Sequence, residues 1–75
     1  MARKTLDDLR RNPAHATMKD VLAVLRAAGW DVREGTRHGT IVRKGERTLL
    51  VPRPHGPYLL PVYVRKIVRM LEEDA

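Results

Sequence analysis

The sequence predicts an α+β domain: a short N-terminal helix followed by the order α-β-β-β-α, with two helices on one face of a three-stranded antiparallel sheet. Three observations carry this expectation. Apolar residues recur at helical spacing from Met18 to Ala28 and again from Leu60 to Leu71. Between them lie β-rich runs punctuated by Gly35 and Gly45. The length of 75 residues, 43% of them hydrophobic, suffices for one small core but not for two domains.

Residues 3–13 read as a short helix that Thr5 can cap, with Asp7 and Asp8 in the first turn and Arg10 and Arg11 near the end. Asn12-Pro13 should stop it. Only Leu6 and Leu9 give it an apolar edge, so it is expected to rest on the domain or on a partner. Residues 1–16 are thus a helix and linker, with His15 as a solvated loop residue, and residues 17–75 form the main domain. Thr17 opens the first long helix, with Asp20 completing an approximate capping box. Met18, Val21, Leu22, Leu25 and Ala28 form its buried stripe. Gly29 can end the helix in a left-handed conformation, and Trp30 can fold back onto the last turn.

A first strand is expected from Trp30 to about Glu34, with Trp30 and Val32 on one side and Gly35 as its break. Two more strands, around 38–43 and 47–52, form a hairpin across Lys44-Gly45-Glu46. A three-residue loop sets Ile41 opposite Leu49 and Gly39 opposite Val51, with His38, Thr40, Val42, Thr48 and Leu50 on the other face. A two-residue loop changes that pairing, and the residues leave both open. Pro52, Pro54 and Pro57 cannot continue a central strand, so this part is an exposed loop. Pro61 starts the last helix, with Leu60, Val64, Ile67, Val68 and Leu71 buried and Arg65, Lys66 and Arg69 off that stripe. Glu72, Glu73 and Asp74 oppose the helix dipole, and fraying is expected there.

The net charge of +6 is unevenly spread: Arg33 to Arg69 holds nine basic and two acidic residues, a net of +7. Such a field suits a polyanion such as nucleic acid, or an acidic protein, and a merely solvated basic surface would carry the same total. Zero cysteines exclude disulfides and thiolate metal sites and fit a reducing cytosol. No apolar run approaches the roughly 20 residues of a membrane span, and MARKTLDD lacks the apolar core of a signal peptide. The expectation is a soluble, cytoplasmic protein. His15, His38 and His55 show no metal-ligand spacing, and the absence of Ser and Cys removes those nucleophiles. Gly35, Gly39 and Gly45 make no phosphate loop, because no Gly-Lys-Ser/Thr leads a strand into a helix.

Most of the candidate chemistry lies in Gly35–His55. His38 follows Gly-Thr-Arg at an expected strand start, where a loop can expose it. An imidazole can take a proton from a ribose 2′-hydroxyl or give one to a leaving 5′-oxygen. Neighbouring arginines would stabilise the phosphorane charge without a metal. The competing reading is a histidine that bonds backbone at a strand edge or only contacts phosphate. His55, in Pro-Arg-Pro-His, could complete an acid/base pair. A sheet with one face free and basic rims could bind RNA by shape and phosphate contact, as double-stranded-RNA-binding folds do.

The helix from Met18 to Ala28 ending in Gly29-Trp30, then Gly35-Thr-Arg-His38, then a hairpin closing in Leu-Val-Pro52 with a histidine after it, together resemble the HicA-like toxins. The resemblance covers roughly residues 17–72; Asn12-Pro13 and Val62-Tyr-Val-Arg-Lys-Ile-Val look like a subgroup with an N-terminal extension. It implies a double-stranded-RNA-binding-like fold and an mRNA interferase: a metal-independent endoribonuclease toxin of a type II toxin–antitoxin system, acting in stress response. It further implies no cofactor and a HicB-like antitoxin that covers the active histidine. The family's motif is usually Gly-Ser-His, often with a second His. Here Thr36 stands for Ser, and Arg37 either replaces the first His or is an extra residue. His38 lies fourteen positions before Pro52, the separation expected of the family's catalytic His. On this reading His38 is the general base or acid, while Thr36, Arg37, Arg43, Lys44, Arg47, Arg53 and His55 contact RNA. The alternatives are a non-catalytic RNA-binding module of the same fold, or a basic protein-interaction domain.

Overall fold

The computed structural model describes residues 5–74, the side chains of Glu34, Thr36 and Asp74 excepted. Arg3 and Lys4, the expected first residues of the N-terminal helix, lie outside the described residues. The chain runs α1 (Leu6–Arg11), a 3-10 turn (Pro13–His15), α2 (Met18–Ala27), β1 (Asp31–Thr36), β2 (Gly39–Lys44), β3 (Arg47–Pro52) and α3 (Pro61–Asp74). The three strands form one antiparallel sheet in the order β1-β2-β3, as the predicted α+β class requires.

Both early helices begin on reciprocal caps. Thr5 accepts from the Asp8 amide while the Asp8 carboxylate accepts from the Thr5 amide, and Thr17 and Asp20 repeat the arrangement. α2 ends as its glycine predicts: Gly29 has φ of 94°, its amide donates to the Arg26 carbonyl, and the Trp30 amide donates to that of Leu25. This pairing engages carbonyls of the last helical turn and turns Trp30 into the core, where it is 2% exposed. His15, expected in a loop, sits instead in the 3-10 turn that Pro13 opens, because proline's fixed φ suits a first helical position. Its Nδ1 lies 2.9 Å from Asn12 Oδ1, and its ring meets Tyr58 edge-on.

The sheet departs from expectation in two places and decides the hairpin loop whose length the residues left open. Gly35 does not break β1, which continues to Thr36; the irregularity falls at Arg33, an extra residue between the pairs Val32↔Val42 and Glu34↔Ile41. His38 does not start β2 but occupies a two-residue turn with Arg37, between the paired Thr36 and Gly39. The β2–β3 loop also has two residues, Gly45 and Glu46, so Ile41 faces Leu50 and Val42 faces Leu49. Gly45, with φ of 60° at the first loop position, supplies the left-handed conformation that such a tight hairpin demands. Because side chains alternate, this one-residue change puts Val42, Leu49 and Val51 together on the helix-covered face and leaves Ile41 and Leu50 on the open one.

One core joins the three α-helices to the sheet. Val21, Val24 and Leu25 of α2, Val42 and Val51 of the sheet, and Val64, Ile67, Val68 and Leu71 of α3 are all buried, with Trp30 among them. Leu60 corrects the expected α3 stripe: it precedes the helix and is 61% exposed, while Leu59 is buried and its amide donates to the Ala16 carbonyl. Leu9 of α1 and Ala16 are also fully enclosed, so the N-terminal helix is docked. Arg10 Nε meets Glu72 Oε1 at 2.7 Å across that seam, and α3 runs to Asp74 where fraying was expected.

Candidate nucleic-acid interface

The strands divide the sequence-predicted site residues between two ends of the sheet. At one end the Arg37-His38 turn joins β1 to β2, and β3 leaves toward the proline loop. At the other end, six residues away and thus about 20 Å along the strand, lies the Gly45-Glu46 turn.

His38 is exposed, and its carbonyl accepts the Arg53 amide at 2.9 Å. That bond extends the β2–β3 pairing one step beyond Gly39↔Pro52 and ties the histidine's backbone to the start of the loop. Gly39 makes this possible. A Cβ built on Gly39 would fall onto the Val51 carbonyl oxygen and within 3.0 Å of Pro52 Cα, so only glycine lets β2 approach β3 there. Its φ of 153° also accommodates the strand geometry after a turn whose own residues have no positive φ.

Around this turn opens a groove of about 810 Å3. Its walls are the start of α2 (Thr17, Met18, Lys19), the β1–β2 end (Arg37, Gly39) and the loop after β3 (Arg53, Pro54). Three cations from three elements line it, with no acidic side chain among the lining residues. Arg37 and Arg53 were expected to bind phosphate, whereas Lys19 was not singled out: in the sequence it is one polar residue beside the apolar stripe of α2. His38 and His55 are exposed and are not among the lining residues, though each is flanked in sequence by residues that are. Thr36 lies at the end of β1, and its side chain is outside the described residues.

The remaining basic residues sit elsewhere and have local tasks. Lys44 Nζ donates to the Ala28 carbonyl at 2.9 Å, closing the C-terminus of α2 with a positive charge. The Arg47 guanidinium lies 5.6 Å from the Trp30 ring centroid, a cation–π arrangement on the covered face. Arg43 donates to the Gly45 carbonyl at 2.9 Å on the open face. These three share a basic run with Arg37 and Arg53 in the sequence, but the six-residue strands place them at the opposite end of the sheet. Among the described residues there is no cluster of three His, Cys, Asp or Glu side chains that could hold a metal ion. No described helix is long and apolar enough to cross a membrane. The chain matches no family model, no curated protein and no solved structure.

Proposed function

We propose that the protein is a metal-independent endoribonuclease toxin of HicA-like type that cuts mRNA in the cytoplasm and is held in check by a HicB-like antitoxin. The observation that carries this reading is the meeting of an exposed His38 with Arg37 and Arg53 at one end of the sheet, where the His38 carbonyl and Arg53 amide are bonded. In the proposed reaction the His38 imidazole takes the proton of a ribose 2′-hydroxyl. The resulting oxygen attacks the adjacent phosphorus, and the bond to the 5′-oxygen breaks. The leaving oxygen takes a proton from a second acid, a role for which exposed His55 is the candidate, or from water. Arg37 and Arg53 offset the charge gathering on phosphate. The products are a 2′,3′-cyclic phosphate and a 5′-hydroxyl.

The test is incubation of purified protein with a defined RNA in EDTA, wild type beside His38→Ala. Cleavage to cyclic-phosphate ends is expected from the first and none from the second, with the variant's circular dichroism unchanged. Persisting cleavage by His38→Ala would sink the assignment. A second reading, RNA binding without turnover, draws on the fact that the His38 side chain is not among those lining the groove. It expects bound RNA and no products from either protein.

A further inference from the structure

We infer that the groove between α2 and the β1–β2 turn is a track for the sugar-phosphate backbone of a single RNA strand, and that Lys19 is one of its phosphate contacts. The inference rests on the RNA reading above but names a site and a residue that the reading does not need. Lys19, Arg37 and Arg53 come from three separate elements and line one groove. Among the described residues no ion pair engages any of them, in contrast to Arg10, Arg11 and Arg69, each of which meets a carboxylate. Asp20, the nearest acid in sequence, faces the Thr17 amide as part of the helix cap. Among the described residues, the lining thus presents positive charge with no acidic side chain in it to whatever enters.

The rest of the lining selects the ligand. It includes glycines at 35, 39 and 56, and a Cβ on Gly35 or Gly56 would meet nothing within 4 Å, so main chain is open to approach there. It includes no aromatic side chain. Sites that read unstacked bases do so by stacking them on aromatic rings, while phosphates need only cations and amides. A groove lined by three cations and no aromatic ring therefore grips the backbone and leaves the bases outside, unread. An acidic protein segment is the other polyanion that could enter, but it would bring apolar side chains with it, and the lining has little to offer them besides Met18 and two prolines.

The experiment measures binding apart from cleavage, using short 2′-O-methyl oligonucleotides that cannot be cut through a 2′-hydroxyl. Fluorescence anisotropy across a salt series is run with oligo-U and oligo-A for wild type, Lys19→Gln, Arg53→Gln and the control Arg26→Gln, which sits at the far end of α2. Each phosphate contact on a single strand contributes about 0.7 to the slope of log affinity against log salt, or about fivefold in affinity near 0.1 M salt. Lys19→Gln and Arg53→Gln should each lose about that much, alike for both sequences, while Arg26→Gln stays near wild type. An unchanged slope for Lys19→Gln, a loss matched by Arg26→Gln, or a strong preference between the two sequences would overturn the inference. Failure of His38-dependent cleavage leaves this readout intact, so the two hypotheses fail separately.

Discussion

At the scale of single residues, Gly39 and Gly35 make a controlled pair at the two sides of the candidate site. Gly39 combines a φ of 153° with a Cβ direction that runs into the β3 backbone at Val51 and Pro52. The obstacle is main chain held in the β2–β3 ladder, so it cannot rotate away as a side chain would. Backbone strain of this kind costs about 1–3 kcal/mol by itself, and the displaced strand adds to it. Gly39→Ala is therefore expected to lose about 3 kcal/mol or more in urea denaturation. Gly35 has no positive φ and open space where its Cβ would go, so Gly35→Ala should stay within about 0.5 kcal/mol of wild type. Equal stability of the two variants would show that β2 and β3 do not approach so closely. The same reasoning explains why His38 sits at a turn: the glycine after it, not one within the loop, gives the chain its freedom.

At the scale of elements, hairpin length decides which basic residues near the loop turn toward the protein and which stay on the open face. The two-residue Gly45-Glu46 loop turns Lys44 toward α2, where it donates to Ala28, and sets Arg47 over Trp30. Lys44→Met keeps most of the aliphatic stem and removes the hydrogen bond. It should cost about 1 kcal/mol in thermal or urea unfolding, with RNA affinity little changed. A loss of RNA affinity with no loss of stability would return Lys44 to the binding surface. The helices were legible because their caps are local: Thr17 with Asp20, and Gly29 with Trp30, lie within a few residues of one another. Hairpin register was not, since a one-residue change in loop length reverses a strand's faces while leaving its composition untouched. A Gly-X loop was the available signal for the shorter turn. Arg37 and His38 contain no such residue, which is why β1 was expected to end at Gly35. Leu60 was misjudged for a related reason: helical spacing was extended to a residue that precedes the helix. Lys19 escaped notice because its neighbours in the groove are distant in sequence.

At the scale of the whole molecule, the question is whether the N-terminal helix is an appendage or part of the fold, since the α-β-β-β-α frame begins only with α2. Burial answers it. Leu9 is 1% exposed and Ala16 is fully enclosed, in one cluster with Val64, Ile67, Val68 and Leu71. The Leu59 amide donates to the Ala16 carbonyl at 2.8 Å, so the extension also fixes the chain just before α3. The Arg10–Glu72 pair is half exposed on both sides and worth at most about 1 kcal/mol, so it cannot hold the helix in place alone. Apolar burial must do so. Leu9→Ala leaves a cavity at the α1–α3 seam and should cost about 2–5 kcal/mol, as buried leucine truncations do. For a domain of this size each kcal/mol shifts the midpoint by about 4–8 °C, so a fall of about 10 °C or more in Tm is expected. Arg10→Ala, measured beside it, should lower Tm by a few degrees at most. If Leu9→Ala left Tm unchanged, α1 would be a loosely held arm. A large fall shared by a single cooperative transition would instead establish that residues 5–74 unfold together.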